Sequence, residues 1–248
     1  MTARNAAAIA SLALLSASAA CTNFYEVPIE TPIQAKLDVS AFRRVLVAGF
    51  ISGGTEDVDG NLETTRLLRS QLRTKSSLRV IDADSLPLQD VASEGRPAEQ
   101  TPPAAVKDEK DLDAYSNLFA NVEYWKKIGE EYQQPLIVTG TVLFTPHQRN
   151  SIVQREEEVY DSFGRRRVVP VRTYQERKGF ILSPKFIFID GRTGTVMHST
   201  TAREEILYNA NQATPALSSY FELMDRVIPS FLSTLSSQKI KGTRILLQ

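Results

Sequence analysis

Arg44-Val45-Leu46-Val47-Ala48-Gly49-Phe50-Ile51 is a short run, apolar after its first residue and β-branched in part, that stops at Gly53-Gly54. A half-exposed strand alternates polar and apolar residues, so a continuous apolar run bounded by glycines reads as a strand buried on both faces. Forward of it, the spacing predicts a helix over residues 62–74 with Asn61 or Asp59 as its cap, then a second strand, Leu78-Arg79-Val80-Ile81. That order is a βαβ unit, which implies a parallel pair with a right-handed crossover. The expected fold class is therefore α/β with α+β character: a mixed sheet with a βαβ unit and helices packed on it.

Residues 90–111 are rich in Pro, Ala, Glu, Gln and Lys and poor in large apolar side chains, and are expected to be a mobile insertion. Tyr115, Leu118, Phe119, Val122, Trp125, Ile128 and Tyr132 then recur at helical spacing and predict one amphipathic helix. Pro135 ends it, and Leu136 to Phe144 reads as a third buried strand. Ile152 to Tyr160, Arg166 to Arg177 and Phe180 to Ile189 are consecutive extended segments, with turns expected at Ser162-Phe163-Gly164 and at Gly179. The first two make a long antiparallel hairpin at about 150–178. Asp190-Gly191-Arg192-Thr193-Gly194 is a turn into a strand over 195–200. A last helix is expected from a Thr214 cap with Pro215 in its first turn, with Leu217, Tyr220, Phe221, Met224, Val227, Ile228, Phe231, Leu232 and Leu235 on one face. Pro229 inside it removes the bond to Asp225. Thr243 to Leu247 is placed as an edge strand, so residues 41–248 are read as a single domain.

The composition, 42% hydrophobic and 23% charged, is that of a globular protein with a full core. The formal net charge is zero, which leaves no basic field to gather nucleic acid. A single cysteine excludes an internal disulfide.

That cysteine, Cys21, closes an N-terminal stretch in which Arg4 precedes an apolar, alanine-rich run to Ala20, the layout of an export signal over residues 1–20. The run is short of the roughly 20 apolar residues a membrane-spanning helix needs. Ser18-Ala19-Ala20-Cys21 resembles the lipobox of bacterial lipoproteins, departing from it at Ser18, where leucine is usual. The resemblance implies cleavage before Cys21 and attachment of acyl chains such as palmitate to it; an ordinary signal cleaved near Ala17 to Ala20 is the alternative. Thr22, and not aspartate, follows, which by the same resemblance points to the outer membrane over the inner. Residues 21–40 carry Pro28 and Pro32 and read as an extended tether reaching about 60 Å from the bilayer.

Val45-Leu46-Val47-Ala48-Gly49-Phe50, the helix bearing Leu67, Leu68 and Leu72 before Leu78-Arg79-Val80-Ile81-Asp82, Ile137-Val138-Thr139-Gly140-Thr141-Val142 and Phe186 to Gly194 together resemble a family of periplasmic lipoprotein domains. The family includes the curli secretion protein, the penicillin-binding-protein activator lipoproteins and the N-terminal domain of the Tol-Pal translocation protein. In texture the chain is most similar to lipoproteins of acidobacterial type, to which no chemistry is attached. The resemblance implies a fold and an envelope compartment and assigns no activity.

Motifs for chemistry are sparse. His147 follows Pro146 in an expected loop, His198 lies on an expected strand, and neither has Glu or His at metal-ligand spacing. No Gly-x-Ser-x-Gly elbow and no phosphate-binding glycine loop is present. Asp57, Asp59, Asn61 and Glu63 alternate as a calcium loop begins, but the glycine between them comes too early for an EF-hand, so a strand-to-helix turn with its cap is favoured. No catalytic residue, metal or cofactor is expected.

The hairpin is the most unusual feature of the body. Glu156-Glu157-Glu158 leads into its turn and Arg165-Arg166-Arg167 leads out, so opposite charges are expected to face or neighbour each other across the ladder. Two readings fit: a solvated ribbon whose charges discourage edge pairing, or a docking arm with Tyr160, Phe163 and Tyr174 as aromatic anchors beside Arg165, Arg166 and Arg167. The functional expectation is a non-enzymatic periplasmic adaptor or regulator, held to the membrane by an N-terminal lipid and bound to an envelope protein, with self-association left open. The alternatives are a subunit of an outer-membrane secretion assembly resembling the curli exporter and an envelope enzyme.

Overall fold

The computed structural model describes residues 24–93, 106–160, 162–209, 212 and 215–247. The chain divides into two compact units, a small one from its two ends and a large one over residues 35–236. The small unit is a two-stranded antiparallel ribbon in which β1 (Phe24–Ile33) pairs with the last strand, β8 (Gln238–Leu247), from Phe24 opposite Leu247 to Ile33 opposite Gln238. The stretch read as a tether is therefore extended but paired, which withdraws the long free reach. Pro28 and Pro32 fit because both lie four residues apart on one edge, where a missing N–H breaks no ladder bond. The C-terminal run is a strand as expected, but its partner is β1 and not the main sheet.

In the large unit, β2 (Arg44–Gly54) leads through helix α1 (Gly60–Lys75) to the short strand β3 (Arg79–Val80), and β2 and β3 are parallel. The Asp59 carboxylate accepts from the N–H of Leu62 at 2.9 Å and caps α1. Asn61 Oδ1 accepts from the N–H of Phe50 at 2.8 Å and ties the helix start back to β2. The register of β2 shifts between Val47 and Gly49, a bulge that lets Val47 and Phe50 face the same side. Helix α2 (Leu88–Ser93) opens the segment read as an insertion, and residues 94–105 of that segment lie outside the described residues.

After the short helix α3 (Glu109–Asp113), the single amphipathic helix expected over 115–132 is broken into α4 (Ser116–Phe119) and α5 (Val122–Glu131). The break has a local cause: Asn121 leaves helical geometry and its Oδ1 accepts from the N–H of Tyr124 at 3.1 Å, starting a new helix instead of continuing the old one. The apolar face survives the break, since Trp125 is fully buried and its indole N–H donates to the Leu118 carbonyl at 2.9 Å.

Strands β4 (Leu136–Tyr160) and β5 (Arg166–Asp190) are each 25 residues long. Gly179 is no turn, because β5 runs through it. A side chain there would put its Cβ 1.9 Å from the Ile206 carbonyl oxygen, so this glycine serves the close approach of a neighbouring strand. That neighbour is β7 (Glu204–Asn209), which follows β6 (Val196–Thr201); both pair with the same edge of β5. The mixed sheet has the order β3-β2-β4-β5-β6, with β7 also on β5. Helix α6 (Ala216–Leu235) starts after Pro215 and contains Pro229; Leu217, expected on its core face, is exposed. The expected Thr214 cap lies outside the described residues.

Two apolar clusters cover the two faces of the sheet. On one, Val45, Val138, Leu182 and Phe186 pack with Leu68 and Leu72 of α1 and with Tyr220, Met224, Phe231 and Leu235 of α6. On the other, Leu46, Ile137, Ile187 and Ile189 pack with Leu88, Leu118, Trp125 and Ile128. Each such side chain contributes about 1.5–3 kcal/mol when fully buried. No helix among the described residues is long and apolar enough to cross a membrane.

Candidate docking arm

Strand β4 pairs with β2 only as far as Phe144, and β5 pairs with β7 only as far as Arg177. Beyond those points the ladder from Asn150 opposite Glu176 to Tyr160 opposite Arg166 is a two-stranded ribbon. At about 3.3 Å per residue it extends roughly 35 Å past the sheet. The ribbon is braced where it leaves the body. Gln148 donates to Glu176 at 2.7 Å, Lys178 lies 3.1 Å from the same carboxylate, and Gln175 donates to Asn209 at 2.7 Å. His147, expected in a loop, lies on β4, with its Nε2 3.3 Å from a Glu205 carboxylate oxygen on β7.

At the far end, Ser162 to Arg165 carry the turn, and Gly164 has φ +71°, a conformation that favours glycine. The structure brings Tyr160, Phe163, Arg165, Arg166 and Arg167 together there, with the Arg165 guanidinium 5.3 Å from the centre of the Phe163 ring. Phe163 is 80% exposed and Tyr160 66%. Tyr174 is not part of this cluster. It pairs with Ile152, eight residues down β4, roughly 26 Å from Tyr160 but on the same ribbon face. Ile152, 71% exposed, and Val168 share that face with Tyr174 and Tyr160, as apolar and aromatic positions interspersed with Arg172, Glu156, Glu158 and Arg166. Sequence reasoning missed Ile152 and Val168, although both alternate in phase with the tyrosines.

Of the two arrangements expected, facing or neighbouring charges, the ladder shows the neighbouring one. Glu156, Glu157 and Glu158 stand opposite Pro170, Val169 and Val168, and Arg166 and Arg167 stand opposite Tyr160 and Val159. The ladder is offset from the one that would align acid with base. A diagonal contact remains, with Arg166 Nη2 2.9 Å from Glu158 Oε1, both well exposed. Such a pair is worth about 0.2–1 kcal/mol. The arm therefore carries a basic tip above an acidic flank.

Two of the hollows of the large unit bear on the sequence reading. One, of about 600 Å³, sits beyond the C-terminal end of β2 and is lined by Gly53, Gly54, Asp59, Asp90, Val106 and Lys107 among others. Asp59 and Asn61 here are committed to backbone N–H groups, which supports the turn-and-cap reading of the alternating oxygens. The other, of about 420 Å³, lies at the root of the arm between His147, Lys178, Phe180 and Tyr208. Among the described residues no three His, Cys, Asp or Glu side chains converge as a metal site. His198 lies on edge strand β6 beside Phe188, with Nε2 buried and without a hydrogen-bond partner. Cys21 lies outside the described residues.

No protein-family model matches the chain, and no curated protein matches it. Among solved structures it is similar to a lipoprotein of Neisseria meningitidis, at 14% identity and a TM-score of 0.35, with 76% of this chain and 96% of that one covered. It is also similar to the PelC dodecamer of Paraburkholderia phytofirmans, at 14% identity and a TM-score of 0.35, with 87% and 100% covered. Likenesses at this level decide neither fold nor function.

Proposed function

We propose that the protein is a lipid-anchored adaptor of the bacterial cell envelope, held through acyl chains on Cys21 and facing the periplasm, that acts by binding and not by catalysis. It engages an envelope protein through the tip of the β4–β5 arm and the aromatic positions leading to it. The observation that carries this reading is the arm itself: a ribbon on which, among the described residues, no third strand pairs, presenting Tyr160, Phe163, Ile152 and Tyr174 to solvent. Two-stranded ribbons are marginal alone in water, and exposed aromatic anchors flanked by arginine are what protein interfaces use. The basic tip favours a partner surface that is acidic where it meets Arg165, Arg166 and Arg167.

The register argues against the secretion-assembly alternative. A spanning strand keeps one apolar face for lipid, whereas Arg155, Glu157 and Arg167 lie on one face of this ribbon and Glu156, Glu158, Arg166 and Arg172 on the other. Thr22 after Cys21 favours the outer membrane over the inner.

Crosslinking in intact cells tests the adaptor role. The parent should yield a specific envelope adduct, and the variant carrying Tyr160→Ser, Phe163→Ser and Tyr174→Ser should lose it while staying folded. Equal recovery with both proteins would refute the role of the arm. Labelling with palmitate that vanishes on Cys21→Ala checks the anchor separately.

A further inference from the structure

The β1–β8 ribbon is amphipathic in a way that the tether reading hid. Side chains alternate across a strand, so Val27, Ile29, Thr31 and Ile33 share one face of β1. The register places Arg244 and Gly242 on that same face of β8. The opposite face takes Glu26, Glu30 and Lys241 with Pro28, Thr243 and one exposed apolar residue, Ile245. Val27, Ile29 and Ile33 are exposed on the apolar face.

Only two residues separate Cys21 from the first residue of β1. The chain can span at most about 10 Å between Cys21 and Phe24. With acyl chains on Cys21, the apolar face is confined to the neighbourhood of the bilayer surface. We infer that the β1–β8 ribbon is a second membrane-attachment element, whose apolar face lies in the interfacial layer of the bilayer that holds the Cys21 acyl chains. This rests on the lipid-anchor reading for its location, while the affinity belongs to the ribbon alone.

The physics suits the interface and not the hydrocarbon core. An open two-stranded ribbon leaves N–H and C=O groups unpaired on its outer edges, which the core forbids but the hydrated interface satisfies. Pro28 and Pro32 remove two of those donors from one edge of β1. Arg244 shares the apolar face and can extend its guanidinium to headgroup phosphates while its stem stays in the apolar layer. Stable anchoring by a lipidated chain gains from such a second signal.

The test uses the mature chain, residues 21–248 carrying Cys21→Ala, so that no acyl chain contributes. It is floated with vesicles of phosphatidylethanolamine and phosphatidylglycerol. Val27→Asp with Ile29→Asp should lower the vesicle affinity at least about ten-fold, whereas Pro28→Asp with Thr243→Asp, the same charge added to the other face, should change it by less than about two-fold. Ribbon pairing is checked in each variant by a disulfide between cysteines placed at Glu30 and Lys241, which face each other. Failure of the unlipidated chain to float, an equal effect of both variant pairs, or self-association through this face in place of vesicle binding would each overturn the inference. Mass spectrometry of Cys21 in the parent reads acylation independently, so loss of the anchor reading and loss of this one are distinguishable.

Discussion

Arg192 grips the carboxylate of Asp190 at both oxygens, with Nε 3.0 Å from Oδ1 and Nη2 2.9 Å from Oδ2, while its own backbone N–H donates to Oδ1 at 2.8 Å. The pair closes the turn between β5 and β6, and the guanidinium lies 4.9 Å from the centre of the Phe42 ring. Burial pushes the Asp190 carboxyl up, but the hydrogen bonds and charge of Arg192 outweigh burial and hold it below the usual aspartate range.

A carboxyl with a lowered folded pKa stabilises the fold above its unfolded value, about 3.9, and the contribution fades as pH falls through the folded value. Asp190→Asn should therefore cost about 1–3 kcal/mol at neutral pH. Urea unfolding of both proteins should show that gap narrowing below about pH 4; a gap independent of pH would refute the ion-pair account.

Tyr220 joins the two helices on one face of the sheet, its hydroxyl donating to Thr64 Oγ1. Thr64 Oγ1 in turn donates to the Gly60 carbonyl at 2.6 Å, so Tyr220→Phe leaves that carbonyl and the Thr64 hydroxyl bonded to each other. The expected cost is about 0.5–1.5 kcal/mol, against about 3–5 kcal/mol for Tyr220→Ala, which opens a cavity. Burial raises the phenol's pKa, so the parent should also lose stability above about pH 10, where the unfolded tyrosine ionises first. Thermal melts of the Phe variant should lack that alkaline component.

Gly179→Ala should loosen β7 without touching the helices, since the new Cβ meets the Ile206 carbonyl. Overpacking of this kind costs about 1–3 kcal/mol. Hydrogen exchange should rise over Glu204–Asn209 and stay unchanged in α1.

The arm should be dispensable for folding, because no residue from 147 to 177 belongs to either apolar cluster. Replacing residues 151–175 by a two-residue Asn-Gly turn should shift Tm by no more than about 3 °C. A larger drop would show that the ribbon supports the body and is not an appendage.

The parts legible in the sequence were those with a strong local signal. The strand Val45 to Ile51 is apolar on both faces, α6 repeats large apolar residues every three or four positions, and Asp190-Gly191-Arg192-Thr193-Gly194 is turn chemistry. The misread parts depend on partners far along the chain. Gly179 signals a turn or a close approach equally well, and only β7, missed because Glu204-Glu205-Ile206-Leu207-Tyr208 alternates weakly, decides between them. Asn121 suits a helix surface as well as a cap. Nothing local to Phe24–Ile33 reports pairing with a strand at the other end of the chain. At the arm, Ser162-Phe163-Gly164 located the tip correctly, but a loop of that length allows more than one register, so whether glutamates and arginines face or only neighbour each other was not readable.

The central claim, that the arm tip meets an envelope protein, is tested most directly by a photoreactive amino acid placed at Phe163 in living cells, with Lys75 on the exposed side of α1 as control. The account predicts a discrete adduct heavier than the chain, formed from Phe163 but not from Lys75, and lost when Arg165, Arg166 and Arg167 are changed to glutamate. No adduct from Phe163, or one equally strong from Lys75, would contradict it.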